Sequence, residues 1–523
     1  MVVSQQTLVV NPLVWVACAI LPVIIYFGVK RKSSSLPYPP GPPRYPIIGN
    51  LLHLPLSYQW IAFDKWCRQQ ETELLYFSGA GFNVLVVNSL EAVTELFERK
   101  WSIYSHRPKF PMVCDLMGWD WLFGLMEYGE PWRERRKLFT QYFHPSEPTS
   151  FKPHAMQFSR GMLPKLLESP EDFLNIARHA VGGSALSMAY GFPIMEHDDP
   201  HIQLAEKALE TMNIGTLPSN FLVNIIPSLK YVPGWVPGAG FQKIAKDWRQ
   251  IQKDFREKPF ARSLEAMADG TASPCYVTNR MDSLQGLRGS EREYSLALVR
   301  DNAAQVFQAA AETTLAALQF FFAAMLCYPE VQKKAQLELD HVLGGRLPEY
   351  ADEEHTPYVR ALIKEILRWK PILPLGVPHT TSQDDVYKGY HIPKGTFVMA
   401  NSWAFLHDPK HFPNPDVFDP ERFLSNGRVR TDIRDPVDIA FGYGRRICPG
   451  NHIALSFLWV AISTILTVYD ITKEVNQNGQ EVTPNIEFKP NILFEVAPFK
   501  CTIKPRSKEC EELIRNVGYE TEA

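Results

Sequence analysis

No C-x-x-C pair occurs among the eight cysteines, Cys18, Cys67, Cys114, Cys275, Cys327, Cys448, Cys501 and Cys510. That absence excludes a zinc ribbon and a thioredoxin-type redox site. The scatter is unlike a disulfide framework and fits a reducing, cytosol-facing body. A basic excess is also missing. The formal net charge is −3, from 54 Lys and Arg against 57 Asp and Glu, which argues against a nucleic-acid binder. No complete nicotinamide-binding fingerprint is present: Gly79 and Gly81 begin G-x-G-x-x-G, but Val84 stands where the third glycine belongs. There is no internal repeat and no clean interdomain linker. From Met1 to Val29 there is no Lys, Arg, Asp or Glu.

What is present starts there. Leu8 to Val29 is mostly apolar, and at about 1.5 Å per residue a helix of that length spans roughly 30 Å, the hydrocarbon thickness. Lys30, Arg31 and Lys32 follow it. A cleaved signal peptide carries its charge before the apolar run, so this order predicts an uncleaved anchor with its basic flank in the cytosol. The expected layout is a short luminal N-terminus (1–7), a transmembrane helix (8–29) and a basic flank with a proline-rich hinge (30–50). A large globular body (51–507) and a polar C-terminal tail (508–523) follow. The prolines of SSSLPYPPGPPRYPIIGN forbid a helix and favour a stiff arm that holds the body off the bilayer.

The body reads as mainly α with small peripheral β-sheets. ELLYFSGAGFNVLVVNS carries a hairpin signal. Glu291 to Cys327 reads as one long helix, Val331 to Val342 and Val359 to Lys370 as further helices, and Asn451 to Val468 as a last one. DDVYKGYHIPKGTFVMA reads as a small sheet, and NILFEVAPFKCTIKP is again β-like. The apolar run Phe320 to Cys327 is too short to span a bilayer and reads as buried helix.

One stretch carries chemistry. FGYGRRICPG, Phe441 to Gly450, sets one thiol among glycines and arginines, directly before a helix. A thiolate needs positive potential, and a helix N-terminus supplies it together with free N–H groups. Pro449 offers no N–H, so Gly450 and Asn451 are the better donors. Glycines allow close approach to something flat or bulky, and arginines meet anionic groups bidentately. A haem answers all three features, sulfur to iron and guanidinium to propionate. Two other readings stand beside it. Cys448 could be a small buried hydrophobe, or a nucleophile with His452 as its base.

Phe441, Gly444, Arg446, Cys448 and Gly450 match F-x-x-G-x-R-x-C-x-G, and the chain thereby resembles the cytochrome P-450 family over most of its length. The resemblance implies the P-450 fold, with 51–507 as a haem-thiolate catalytic domain. It implies haem b (iron protoporphyrin IX) with Cys448 as axial iron ligand and Phe441 and Arg446 beside it. Glu365 and Arg368 resemble the E-x-x-R pair, completed by Arg422 of FDPERF, with the implied role of fixing the loop that carries Cys448. Trp132 and Arg136 match W-x-x-x-R, and His379 resembles a further propionate contact. AAAETT resembles the oxygen-activation segment A-G-x-D/E-T. Glu312 and Thr313 are then the implied catalytic acid–alcohol pair for proton delivery, and Ala310 replaces the glycine.

The implied reaction inserts one oxygen atom of O2 into a lipophilic small molecule. Electrons are implied to come from NADPH through a membrane-bound reductase, with cytochrome b5 a second candidate donor. Arg133, Arg135, Lys137 and Arg445 form a candidate docking patch for an acidic donor. Met112, Met117, Trp119, Trp121 and Phe123, with Phe307, Leu373, Val377, Ile492 and Leu493, fall where relatives line the pocket. Trp235 in YVPGWVPG is positioned to meet the membrane interface. The implied setting is the endoplasmic reticulum membrane, single-pass and facing the cytosol. The spelling is most similar to fungal microsomal members, many of which oxidise terpenoids in secondary metabolism. The alternatives are a reductase-independent member that rearranges or dehydrates its substrate, a non-catalytic haem protein, and a cysteine hydrolase.

Overall fold

The longest apolar pattern becomes the longest helix, Gly289–Cys327, with every residue from Thr314 to Leu326 buried. It ends where Tyr328 precedes Pro329, because a residue before proline is pushed out of the helical region. The computed structural model describes residues 36–45, 48–55, 57–79, 81–217, 220–476, 480–482, 484–490 and 493–522. The expected anchor at 8–29, its basic flank at 30–32 and Ile492 lie outside the described residues.

The helices that frame the site and its supports are, in chain order, α1 (Glu130–Tyr142), α2 (Lys152–Glu168), α3 (Phe173–Tyr190), α4 (Pro200–Thr216) and α5 (Phe241–Ala268). They continue with α6 (Gly289–Cys327), α7 (Pro329–Leu343), α8 (Pro357–Trp369), α9 (Asn451–Val468) and α10 (Lys508–Glu522). The expected helices are therefore present, and α9 has the expected limits. Proline opens α4, α7 and α8, where its missing N–H costs nothing.

α6 packs against α3, α5 and α9, and the second half of α6 shares one hydrophobic core with α9. Phe320, Phe321 and Phe322 belong to that core together with Trp459 and Ile462, all fully buried. Each such side chain contributes roughly 1.5–3 kcal/mol. Both α6 and α9 are long and apolar enough to cross a membrane, but 72% and 78% of their apolar windows are buried within the protein. They are core helices.

Six short strands build the sheets nearest the site: β1 (Leu74–Gly79), β2 (Phe82–Val87), β3 (His379–Thr380), β4 (Asp385–Tyr387), β5 (Tyr390–Ile392) and β6 (Phe397–Ala400). β1 and β2 form the expected hairpin, Leu74 opposite Val87. The single small sheet expected across 384–400 does not form. Only β4 and β5 pair with each other, while β6 runs parallel to β2 and carries β3 on its other edge. Val398 and Ala400 bury beside Leu85 and Val87, so tertiary packing overrides the local turn signal. A second expectation also changes. Within the expected 508–523 tail, Lys508–Glu522 folds as α10 against α2, because Ile514 and Val517 recur at helical spacing and bury among the charges of that segment.

Candidate functional site

The Cys448 loop is held from both sides. The Cys448 N–H donates to the Phe441 carbonyl at 2.8 Å, closing the loop on itself. Gly444 has φ +56°, and a Cβ there would sit 2.3 Å from the Phe97 carbonyl oxygen, so no larger residue fits. Tyr443 hydroxyl meets Ser402 hydroxyl at 2.8 Å beneath. The Gly450 N–H reaches the Cys448 sulfur, as its place ahead of α9 predicts. Burial nevertheless pushes the thiol up, opposed by that amide and by Arg136. His452 is not its base. The His452 Nε2 donates to the Phe143 carbonyl at 2.9 Å, and no bond to Cys448 exists among the described residues. That removes the histidine a cysteine nucleophile requires.

Around the loop stand three arginines with no carboxylate partner among the described residues. Arg446 is buried and donates to the carbonyls of Ser105 (2.7 Å), Phe123 (3.3 Å) and Met126 (2.5 Å). Its guanidinium lies 4.6 Å above the Trp132 ring, so two residues singled out in the sequence meet directly. Burial and the nearby Arg136 pull its pKa down to about 9. Arg136 is itself depressed by burial, with Cys448 opposing. Arg107 is the third. It donates to Gly124, Val377 and Pro378 carbonyls at 3.2, 2.5 and 2.9 Å, and burial depresses it strongly. His379, on β3, holds the Tyr104 carbonyl at 2.6 Å through Nδ1. Burial and Arg107 keep it neutral.

Isolated buried cations are costly unless an anion answers them. The cluster therefore fits a flat group with two anionic arms and a metal able to take the sulfur. Arg107, Arg136 and Arg446, with Trp132 and His379, could hold the arms, and Cys448 could hold the metal. Arg107 escaped the sequence reading because it sits alone in a loop with no helical spacing to mark it.

The other arginine pair is closed. Glu365 and Arg368 are fully buried and joined twice, at 2.6 and 2.8 Å. Arg422 donates to the same carboxylate at 3.2 Å, and the Asp419 N–H donates to it at 2.8 Å. Arg368 also donates to the carbonyls of Leu406 and Val417. The knot pins 406–422 to α8, ahead of the Cys448 loop.

On α6, Thr313 Oγ1 donates to the Ala309 carbonyl at 2.8 Å. Ala309 is exposed between the buried runs Asp301–Phe307 and Thr314–Leu326, so the helix opens a space there. Glu312 faces elsewhere. With Phe307 and Ala311 it lines a cavity of about one water's volume, against Arg178 and Glu206 of α3 and α4. Burial raises its pKa to about 7, Arg178 opposing. The acid and the alcohol adjoin in sequence but do not bond to each other.

Several expectations change in detail. Arg135 is withdrawn from the docking patch: it donates to Asp301 at 3.0 Å, and Asp301 also takes Arg256 at 2.8 Å. Arg133, Lys137 and Arg445 remain at the surface. Met112, Met117 and Trp119 are wholly buried in a core cluster with Phe255 and Phe307, whereas Val377 is exposed.

A loop that offers one sulfur beneath unanswered arginines defines a haem-thiolate class of protein. The family model described as Cytochrome P450 matches residues 39–500. The cytochrome P450 monooxygenase ple1 of Rhodocybe pseudopiperita is 42% identical over 94% of this chain and 94% of its own. A cytochrome P450 monooxygenase of Hericium erinaceus is 39% identical over 98% of this chain and 96% of its own. The tryptamine 4-monooxygenase of Psilocybe cyanescens is 37% identical over 93% and 96%. The chain belongs to the cytochrome P450 family, and it is a P450 monooxygenase whose family cofactor is haem.

Proposed function

We propose that the protein inserts one atom of dioxygen into a lipophilic small molecule, with electrons delivered from NADPH by a separate flavoprotein reductase. The observation that carries the reading is the conjunction of one loop sulfur with buried Arg107 and Arg446 and half-buried Arg136, none with a carboxylate partner among the described residues. Haem, when bound, supplies dioxygen activation and accepts the electrons. Cys448 would hold its iron through sulfur. Arg107, Arg136 and Arg446 would neutralise its acidic arms, with Trp132 and His379 helping to orient it. Phe441 closes the loop over the sulfur through its carbonyl. Glu365, Arg368 and Arg422 keep that loop in place.

Thr313 keeps its hydroxyl at the mouth of the α6 opening, bonded to the Ala309 carbonyl. Glu312 holds a proton near neutrality one position earlier, poised to exchange it through solvent. Lys137, Arg133 and Arg445 form the surface on which an acidic reductase, or cytochrome b5, docks.

The apolar segment 8–29 and exposed Leu222, Tyr231 and Trp235 support attachment to the endoplasmic reticulum membrane, with the body in the cytosol and substrate arriving from the lipid side. The relatives are fungal, and we place the reaction in secondary metabolism, with terpenoids the first substrates to try. The test is expression in microsomes with a reductase. The reduced protein should give the carbon monoxide difference band of a thiolate-ligated haem, and NADPH should drive product formation. Cys448→Ala should lose both, and retention of both would refute the assignment.

A further inference from the structure

A chain of hydrogen bonds runs from the arginine cluster to α6. Arg107 Nε donates to the Gly124 carbonyl at 3.2 Å. The Gly124 N–H donates to Gln305 Oε1 at 3.2 Å, and Gln305 Nε2 donates to Gln308 Oε1 at 3.1 Å. The direction of this chain does not depend on how either amide is labelled. A backbone N–H only donates, so the Gln305 atom facing Gly124 must be oxygen. Its nitrogen then faces Gln308, whose facing atom must in turn be oxygen. Gln308 is left with its NH2 group pointing away from the chain, and that group has no partner among the described residues. Gln305 is buried; Gln308 is half-exposed and adjoins exposed Ala309 at the opening of α6.

Resting on the functional reading above, we infer that Gln308 is a specificity-determining residue whose amide donates a hydrogen bond to a neutral acceptor on the substrate, with Gln305 as its positioning residue. The substrate class is thereby narrowed. It is a lipophilic molecule that already carries a carbonyl, ether or hydroxyl oxygen, not a bare hydrocarbon. A donor that a bound hydrocarbon would cover and leave unanswered costs affinity, and this is the basis of the discrimination. The reaction that supplies this substrate is one that leaves an oxygen function on an apolar skeleton.

Iron-binding azoles test this without knowledge of the substrate. Phenylimidazole and its three ring-acetyl isomers are titrated into the haem-loaded full chain, and the Soret shift is followed. The wild type should bind the best acetyl isomer roughly five- to tenfold tighter than the parent, the worth of one net hydrogen bond. Gln308→Met should lose that preference while its affinity for phenylimidazole holds. Gln305→Glu should invert it. A carboxylate that accepts from Gly124 also accepts from Gln308, so Gln308 turns its oxygen outward, and an amino-substituted phenylimidazole should become the favoured probe. A merely structural role for Gln305 would not produce that inversion. Equal affinities for parent and acetyl isomers in the wild type, or a preference that survives in Gln308→Met, would overturn the inference and leave the functional reading standing. Absence of a Soret band in the wild type would overturn that reading and this inference with it.

Discussion

The two arginine clusters of this protein differ in one respect, whether the chain answers its own charge. At Glu365, two arginines and a backbone N–H converge on one carboxylate, and every charge has a partner. Around Cys448, Arg107 and Arg446 donate to carbonyls, Arg446 also lies over the Trp132 ring, and neither they nor Arg136 has a carboxylate partner among the described residues. The first arrangement is complete without any ligand. The second is complete only when something anionic arrives. The difference separates residues that build the scaffold from residues that wait for a cofactor, although all five are arginines drawn into the interior.

Breaking the closed cluster should have the largest effect. Glu365→Ala leaves Arg368 fully buried without its carboxylate, and the cost is about 3–5 kcal/mol or more. Soluble yield and thermal unfolding of the haem-free protein should both fall sharply. A variant that folds normally would remove the distinction between the clusters.

Asp301 offers a second closed cluster, because it answers Arg135 and Arg256. Asp301→Asn should lower stability by about 3 kcal/mol, read by denaturant unfolding. The added change Arg256→Met should recover part of that loss.

The open cluster should behave differently. In Arg446→Leu, relief of a buried cation offsets the lost carbonyl bonds, so stability without haem should stay within about 1 kcal/mol of the wild type. Haem retention should drop, seen as roughly tenfold faster transfer of haem to an acceptor globin. A fall in haem-free stability comparable to that of Glu365→Ala would show that the cluster is scaffold after all.

The smallest effect sharpens the same idea with the opposite sign of charge. Burial raises Glu312 from 4.5 to about 7. Between those values the folded state binds more proton at Glu312 than the unfolded chain does, so the contribution of this group to stability is fully present below 4.5 and is lost as pH rises through about 7. Glu312→Gln should not show this decline, and parallel pH–stability curves for the two proteins would contradict the shift.

What the sequence made legible follows the same line. The Cys448 loop, Glu365 with Arg368, and Trp132 with Arg136 lie at short fixed spacings, so pattern reading finds them. Arg422 was found through its own short motif. Arg107 and Asp301 were missed because their partners come from remote segments; Asp301 is joined by Arg135 from α1 and Arg256 from α5. Arg135 was assigned to a docking surface because a run of charges in sequence carries no sign of which member faces inward. The short strands were found, but β6 pairs with β2 across most of the body, a choice made by packing and not by local turns. The helical end of the chain was read by its polarity, which hid two apolar residues at helical spacing.

The hydroxyl of Thr313 gives its one hydrogen to Ala309 at 2.8 Å. In that arrangement only its lone pairs are free, so toward a solvent molecule at the opening the side chain would serve as acceptor and not as acid. A water held in that way would present its remaining hydrogen outward and give the opening a fixed polarity. Serine at this position would preserve that polarity and valine would erase it, and the solvent deuterium isotope effect on turnover would register the difference.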